Sequence, residues 1–582
     1  MTYKICEKRQ QVFDATGHTL VTGGPGSGKT TIAILKALRR IEARLEGGQS
    51  VLFLSFSRAA VARIAESVKK EIPTDYQKLL NIQTFHSFFW EILRAHGYLL
   101  GAPNRLTLLA PHDEKAMSDG IDRDDENPAW QAWKIERERL FREDGQTVFD
   151  LFAPKAAELL ARSTRIRSIV ANRYPLIIVD EAQDTGPDQW ACVKALANHS
   201  QVLCLADLDQ QIFDFLPGIG PERIRQVEED LRPIRVDLGS ENNRSPDSEI
   251  VAFGDDILTG ATRTGPYKGI SQFNFHPRAD LRDRSIRQSI GIVNGIVEKE
   301  TGQPPESIAM LASFDRGAAI LSNALREGGK PIPHKVLFDE AATLLSSRFL
   351  AFLMEPKTST NHMIDLPKGL ELLSSVFRAK GTVGALKRAK GLQLWAQQTR
   401  EGKVPTKAGL YRQLASLLSD LQTNAFSGDP RKDWTLLRGM LRDTGVAELL
   451  AVDRDLQYLM AFNRGKRIAS GLSSVWEDGG DYSSARQVLD AALAQDQILS
   501  GGEDLSGIHV MTMHKSKGKQ FDAVIIFRSA YAAPFTWRRD PQPYRKSRKI
   551  LRVAITRARV HTMILNEAFP SCPILSQHKL RG

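Results

Sequence analysis

Short apolar runs alternate with stretches of helical spacing along much of the chain. His18 to Thr22, Val51 to Leu54, Leu176 to Val179 and Val202 to Ala206 each read as a strand. After the first of them, Ile32, Leu35, Leu38 and Ile41 recur every three or four residues, the spacing of one helix face. Ile82 begins another such unit, and 308–326 and Val524 to Phe527 supply the same signals late in the chain. Strands alternating with helices predict parallel βαβ units, an α/β fold with its ligand site at the carboxyl edge of the sheet. Residues 95–165 interrupt the alternation with charged, helix-like sequence, as an inserted subdomain would.

The polar residues at the predicted strand ends carry the chemistry. Leu176 to Val179 run into Asp180-Glu181-Ala182-Gln183-Asp184, which places paired carboxylates at a sheet edge. One acid there can hold magnesium, and its neighbour can deprotonate a water. Upstream, Gly23-Gly24-Pro25-Gly26-Ser27-Gly28-Lys29-Thr30 fits the phosphate-loop pattern in full, between a strand and a helix. Its glycines turn backbone N–H groups around phosphates, and the helix N-terminus favours the anion. Lys29 is expected to reach the β- and γ-phosphates, and Thr30 to ligate magnesium. The chain is therefore expected to bind a nucleoside triphosphate.

Composition narrows the setting. At 582 residues, with 42% hydrophobic and 25% charged content, the chain should form several globular domains. No apolar stretch approaches the roughly 18 residues of a membrane span, and Met1 to Gln11 is too polar for a secretory signal. Cys6, Cys192, Cys204 and Cys572 lack metal-ligand spacing, which suggests a reducing, cytoplasmic setting. A net charge of +11 favours a polyanionic partner. Lys368, Arg378, Lys380, Lys387, Arg388, Lys390, Arg400, Lys403, Lys407 and Arg412 form one basic cluster. Arg538, Arg539, Arg545, Lys546, Arg548, Lys549 and Arg552 form a second. Each reads either as a solvated face or as a nucleic-acid surface.

The order of these segments resembles the UvrD/Rep/PcrA branch of superfamily 1 DNA helicases. Gly23 to Thr30 resembles motif I, Ser55 to Ala60 motif Ia, and Thr84-Phe85-His86 the segment that follows. Asp180 to Asp184 matches motif II, with Thr185 and Gln189 in keeping, and Asp207 to Phe215 is similar to motif III. Asn242 to Ser245, Met511 to Gly518 and Val553 to Arg559 resemble motifs IV, V and VI. The resemblance implies two RecA-like parallel-sheet domains, each with a helical insertion. These would be 1–94 and 166–245 with insertion 95–165, and 246–345 and 500–582 with insertion 346–499.

The same resemblance implies an ATP- and magnesium-dependent motor moving 3′ to 5′ on single-stranded or tailed duplex DNA. Lys29, Asp180, Glu181, Gln210, Arg244 and Arg557 would be catalytic. Glu181 would activate water, Gln210 would sense the γ-phosphate, and Arg244 and Arg557 would act as arginine fingers. The nucleotide would also meet Gln10, Gly23, Gly24, Pro25, Gly26, Ser27, Gly28, Thr30, Thr31, Gly518 and Gln520. Thr30 and Asp180 would hold the metal. Phe56, Thr84, His86, Phe215 and His514 would line the DNA channel, where stacking on aromatics tolerates any base.

The departures from the family fall on the nucleoside side, with a further one at Leu216, where relatives often have arginine after the stacking aromatic. Asn243 replaces an aromatic, Gln520 replaces a ribose-contacting glutamate, and the adenine-reading glutamine falls on Arg9 or Gln10. Loosened base selectivity is the expectation. About 25 residues follow Arg557, so no attached nuclease is expected. The alternative to an autonomous helicase is a DNA- or nucleotide-sensing ATPase that regulates a separate nuclease partner.

Overall fold

The structure, a computed structural model, describes residues 6–580 other than 110–113, 115–116, 119–120, 122–125, 208–221, 240–244, 264, 328–329, 338–340, 358–363, 381–382, 406–408, 424–425, 458–465, 491–504, 537–539 and 579. It divides into two compact units, one of 1–95, 153–338 and 501–582, the other of 96–152 and 339–500.

The first unit holds two six-stranded sheets. The first sheet comprises β1 (Thr19–Thr22), β2 (Val51–Ser55), β3 (Leu80–Thr84), β6 (Leu176–Val179), β7 (Gln201–Ala206) and β8 (Ile234–Asp237). The intervening β4 (Thr107–Leu108) and β5 (Gln146–Thr147) pair with each other in the second unit. The order is β3-β2-β6-β7-β1-β8, with every pairing parallel. Parallel strands need helices on both faces, so their side chains are buried on both sides. That is why β6 is the unbroken run Leu-Ile-Ile-Val, each residue fully buried and each contributing on the order of 2 kcal/mol.

The helix Lys29–Glu42 packs on this sheet through Ile32, Ala33, Ala37 and Ile41. Leu35 and Leu38, read as part of its inner face, flank that core and are only partly buried. The carboxyl edge of the sheet gathers the loop after β1, Ser55 at the end of β2, Asp180 beyond β6 and Asp207 beyond β7.

The second sheet comprises β9 (Ile270–Phe275), β10 (Ser307–Ala312), β11 (Lys335–Leu337), β12 (Gly507–Thr512), β13 (Phe521–Arg528) and β14 (Ala558–Glu567). Its order is β11-β12-β10-β13-β14-β9, again parallel throughout. Its amino edge carries two turns, 517–520 before β13 and 556–557 before β14. They are joined where the Phe521 N–H donates to the Arg557 carbonyl at 3.0 Å.

The second unit is mostly helical around a core that includes Phe349, Leu370, Leu392, Leu414, Leu437 and Tyr482. Among the described residues, four of the ten in its basic cluster are paired with acids. Lys380 meets Asp455 and Arg400 meets Glu371, both at 2.7 Å, while Arg388 pairs with Glu448 and Lys403 with Glu401. Such half-exposed pairs add little stability, but they cancel part of the positive field read from the sequence. The other cluster is also smaller than it reads. Arg548 and Arg552 are buried, Arg548 donating to the carbonyls of Ile257 and Pro543.

Candidate functional site

The phosphate-loop segment turns sharply into its helix at Gly28, whose φ of +88° lies in the left-handed region that favours glycine. Lys29 donates to the carbonyls of Gly23 and Gly24 at 2.6 and 2.9 Å, and its ammonium lies 3.8 Å from Asp207. The Gly24 N–H donates to the Gly239 carbonyl at 2.9 Å, pinning the loop to the chain beyond β8. Pro25 and Ser27 are buried, whereas Thr30 and Thr31 are half-buried in the first turn of the helix.

The acidic segment lies on the same edge of the sheet. Asp180 is 4% exposed, accepts from Ser55 Oγ at 3.3 Å and lies 3.9 Å from Arg63. Burial and the adjacent Glu181 push its pKa up to about 6, against the pull of Arg63 and Lys29. Glu181 has a φ of +54°, a strained conformation for a side chain of its size. Burial would raise its pKa too, but Lys517, Lys29, a Gln183 hydrogen bond and Arg557 outweigh that, so it falls below the usual value. Gln183 donates to Glu181 Oε2 at 2.5 Å and accepts the Asp207 N–H at 3.1 Å. Two adjacent carboxylates are thus driven apart, Glu181 shifted below and Asp180 above the usual carboxylate range.

The second sheet supplies the cations. Arg557 is 2% exposed, and its Nε donates to the Val553 carbonyl at 2.9 Å. Burial lowers its pKa to about 10, with Glu181 and Asp207 opposing the drop, so the guanidinium lies within the field of both acids. Arg552 binds Asp255 at 2.8 Å and reaches Asp207 at 4.0 Å. Lys517 pairs with Asp184, whose pKa burial lifts to about 7 despite that cation. Gly518 approaches the first sheet closely. A Cβ there would lie 2.7 Å from Ser57 Oγ, and its carbonyl accepts from Arg63 at 3.3 Å.

The structure therefore brings Lys29, Asp180, Glu181, Gly518 and Arg557 together. Gln10 stands apart: it is exposed and donates to Asp14, while Arg9 is buried and donates to the Ser27 carbonyl at 3.3 Å. Gln520 is half-buried in the turn before β13. Phe56 is half-buried, its ring 5.1 Å from the core ring of Phe85. Thr84 Oγ1 accepts the Ser87 N–H and so caps the helix Phe85–His96, on which His86 is exposed. His514 is half-buried, and burial lowers its pKa. Gln210, Phe215, Leu216, Arg244, Asn242 and Asn243 lie outside the described residues.

Sequence reasoning missed Arg63, Lys517 and Asp255, and it placed Arg552 on a basic surface. Lys517 lay within a quoted motif and could have been singled out there. Arg63 gave no signal beyond its helix. Among the described residues no group of three His, Cys, Asp or Glu could hold a metal on its own, and no helix is long and apolar enough to cross a membrane.

Comparison with known families agrees with this geometry at both ends of the chain. The UvrD/REP helicase N-terminal domain matches residues 6–146 and 121–231, and the UvrD-like helicase C-terminal domain matches 476–566. The chain is a UvrD-like helicase. This UvrD-like helicase is 22% identical to a putative ATP-dependent DNA helicase, YjcD, of Bacillus subtilis, over 97% of this chain and 78% of that protein. It is also 22% identical to the ATP-dependent DNA helicase PcrA of Staphylococcus aureus, over 95% of this chain and 81% of PcrA. A solved structure of two coordinating Pif1 helicases at forked duplex DNA shares 15% identity at a TM-score of 0.23. That match spans 57% of this chain and 60% of the other, and adds nothing to the fold argument.

Proposed function

We propose that this UvrD-like helicase hydrolyses magnesium-ATP between its two parallel sheets and uses the cycle to move 3′ to 5′ on single-stranded DNA. The observation that carries the reading is the burial of Arg557, from the second sheet, in the field of Glu181 and Asp207 from the first. Glu181, held ionised, takes a proton from water as its oxygen attacks the γ-phosphorus. The bond from that phosphorus to the β–γ bridging oxygen breaks, leaving ADP and phosphate. Lys29 and Arg557 meet the charge that develops on the transferring group. Arg244 and Gln210 are assigned the second finger and the γ-phosphate sensor by family resemblance.

Thr30, in the first turn of its helix, and Asp180, beyond β6, both offer oxygen donors at the carboxyl edge of the first sheet, a set that suits a hard cation. Magnesium bound there would neutralise charge on the β- and γ-phosphates. Because Lys29 and Arg557 sit on different sheets, closure completes the catalytic set and opening releases products. Phe56, Thr84, His86, Phe215 and His514 are proposed to contact DNA, with rings offering stacking that any base can use. The relatives described above are DNA helicases by name, and no observation favours a separate nuclease partner.

Steady-state ATP hydrolysis with and without single-stranded DNA tests the reading. DNA should stimulate turnover, and Lys29→Ala should abolish it. Hydrolysis indifferent to both would overturn it.

A further inference from the structure

Asp184 and Lys517 form a buried ion pair between the two sheets, with side chains only 2% and 8% exposed. Asp184 ends the single helical turn that follows Glu181, and its N–H donates to the Glu181 carbonyl at 2.8 Å. Lys517 opens the turn into β13, where the Phe521 N–H holds the Arg557 carbonyl. The pair thus joins the backbone that carries Glu181 to the backbone that carries Arg557.

We propose that the Asp184–Lys517 pair is a positioning device that sets Arg557 in register with Glu181 across the cleft. The proposal rests on the hydrolytic reading above. Neither residue belongs to the phosphate or magnesium sets, so neither acts on the nucleotide directly. Stability alone explains the pair poorly, because well-packed apolar residues serve a buried site as well or better. A charge-assisted hydrogen bond instead fixes distance and direction, which apolar contact does not. It also separates readily when water enters, which suits two sheets that part in each cycle. The Arg63 bond to the Gly518 carbonyl, at 3.3 Å, seats the same turn from its other side.

The test is the double variant Asp184→Asn/Lys517→Gln, which removes both charges at nearly constant volume and strands neither. In the purified full chain, KM for ATP and the affinity for a fluorescent ATP analogue should stay within about twofold of wild type. kcat should fall at least about tenfold, the scale of a small misplacement of a reacting group. In an Arg557→Ala background, with both chains assayed at pH 8 so that Glu181 stays ionised without the Lys517 charge, the same pair of changes should lower kcat by less than about twofold, because the device acts through Arg557. Wild-type kcat in the double variant would overturn the proposal, as would an equal loss in the Arg557→Ala background. Should that variant not fold, Asp184→Glu/Lys517→Arg keeps both charges and alters their reach. The same kcat loss would then support the proposal, and wild-type turnover would overturn it. A wild-type chain that hydrolyses no ATP would instead overturn the hydrolytic reading itself.

Discussion

Gln183 donates its side-chain amide to Glu181 at 2.5 Å, and its carbonyl oxygen accepts the Asp207 N–H at 3.1 Å. One side chain therefore ties the carboxylate beyond β6 to the end of β7. Replacing Gln183 with Leu keeps the bulk and removes both bonds. kcat should fall roughly 10- to 100-fold with little change in KM, because a general base is being disoriented rather than a binding group lost. An equal rise in KM would point to a binding role instead.

Arg557→Ala should lower kcat on the order of 10³-fold while nucleotide binding persists. Arg557→Lys should recover little, since an ammonium lacks the planar fork of a guanidinium. Single-turnover hydrolysis beside analogue binding separates the two effects. A loss confined to binding would contradict the assignment.

Asp180 titrates in an accessible window because burial and Glu181 raise its pKa to about 6. Proton and metal compete for this carboxylate, so apparent magnesium affinity should fall as pH drops through 6 and level off well above it. The expected weakening at pH 5.5 relative to 7.5 is about fourfold. Glu181 shifts the opposite way, so hydrolysis at saturating magnesium should persist across that window. Without ligand, Asp180 favours the folded state as pH falls from 6 toward 3.8, the reverse of an ordinary paired carboxylate. Magnesium titrations of ATPase activity at the two pH values check the effect, and a pH-independent constant would contradict it.

Base selectivity should be loose. Arg9 lies buried against the Ser27 carbonyl while Gln10 faces solvent, and a guanidinium offers donors only, where an adenine edge presents both a donor and an acceptor. kcat/KM for GTP should lie within about tenfold of that for ATP. Strict ATP preference at low nucleotide concentration would sink the idea.

What the sequence disclosed was local, and what it concealed was long-range. The strands beyond which Lys29, Asp180 and Asp207 lie were readable because unbroken apolar runs end in polar residues at a sheet edge. Gly28 was readable because its turn needs a positive φ. Arg63 and Arg552 resemble any surface arginine until the fold sets Arg63, half-buried, near Asp180 and buries Arg552 beside Asp255. The basic run of the second unit failed the other way: its partners Glu371, Glu448 and Asp455 are far enough along the chain, or on another helix, that only packing pairs them. Gln10 shows the limit of register, since one residue of slip exchanges a buried side chain for an exposed one.

Strand displacement on a duplex with a single-stranded tail tests the central claim most directly. The purified chain with ATP and magnesium should release the displaced strand from a 3′-tailed duplex, not from a 5′-tailed one, and Lys29→Ala should release none. DNA-stimulated hydrolysis without any unwinding would contradict the account.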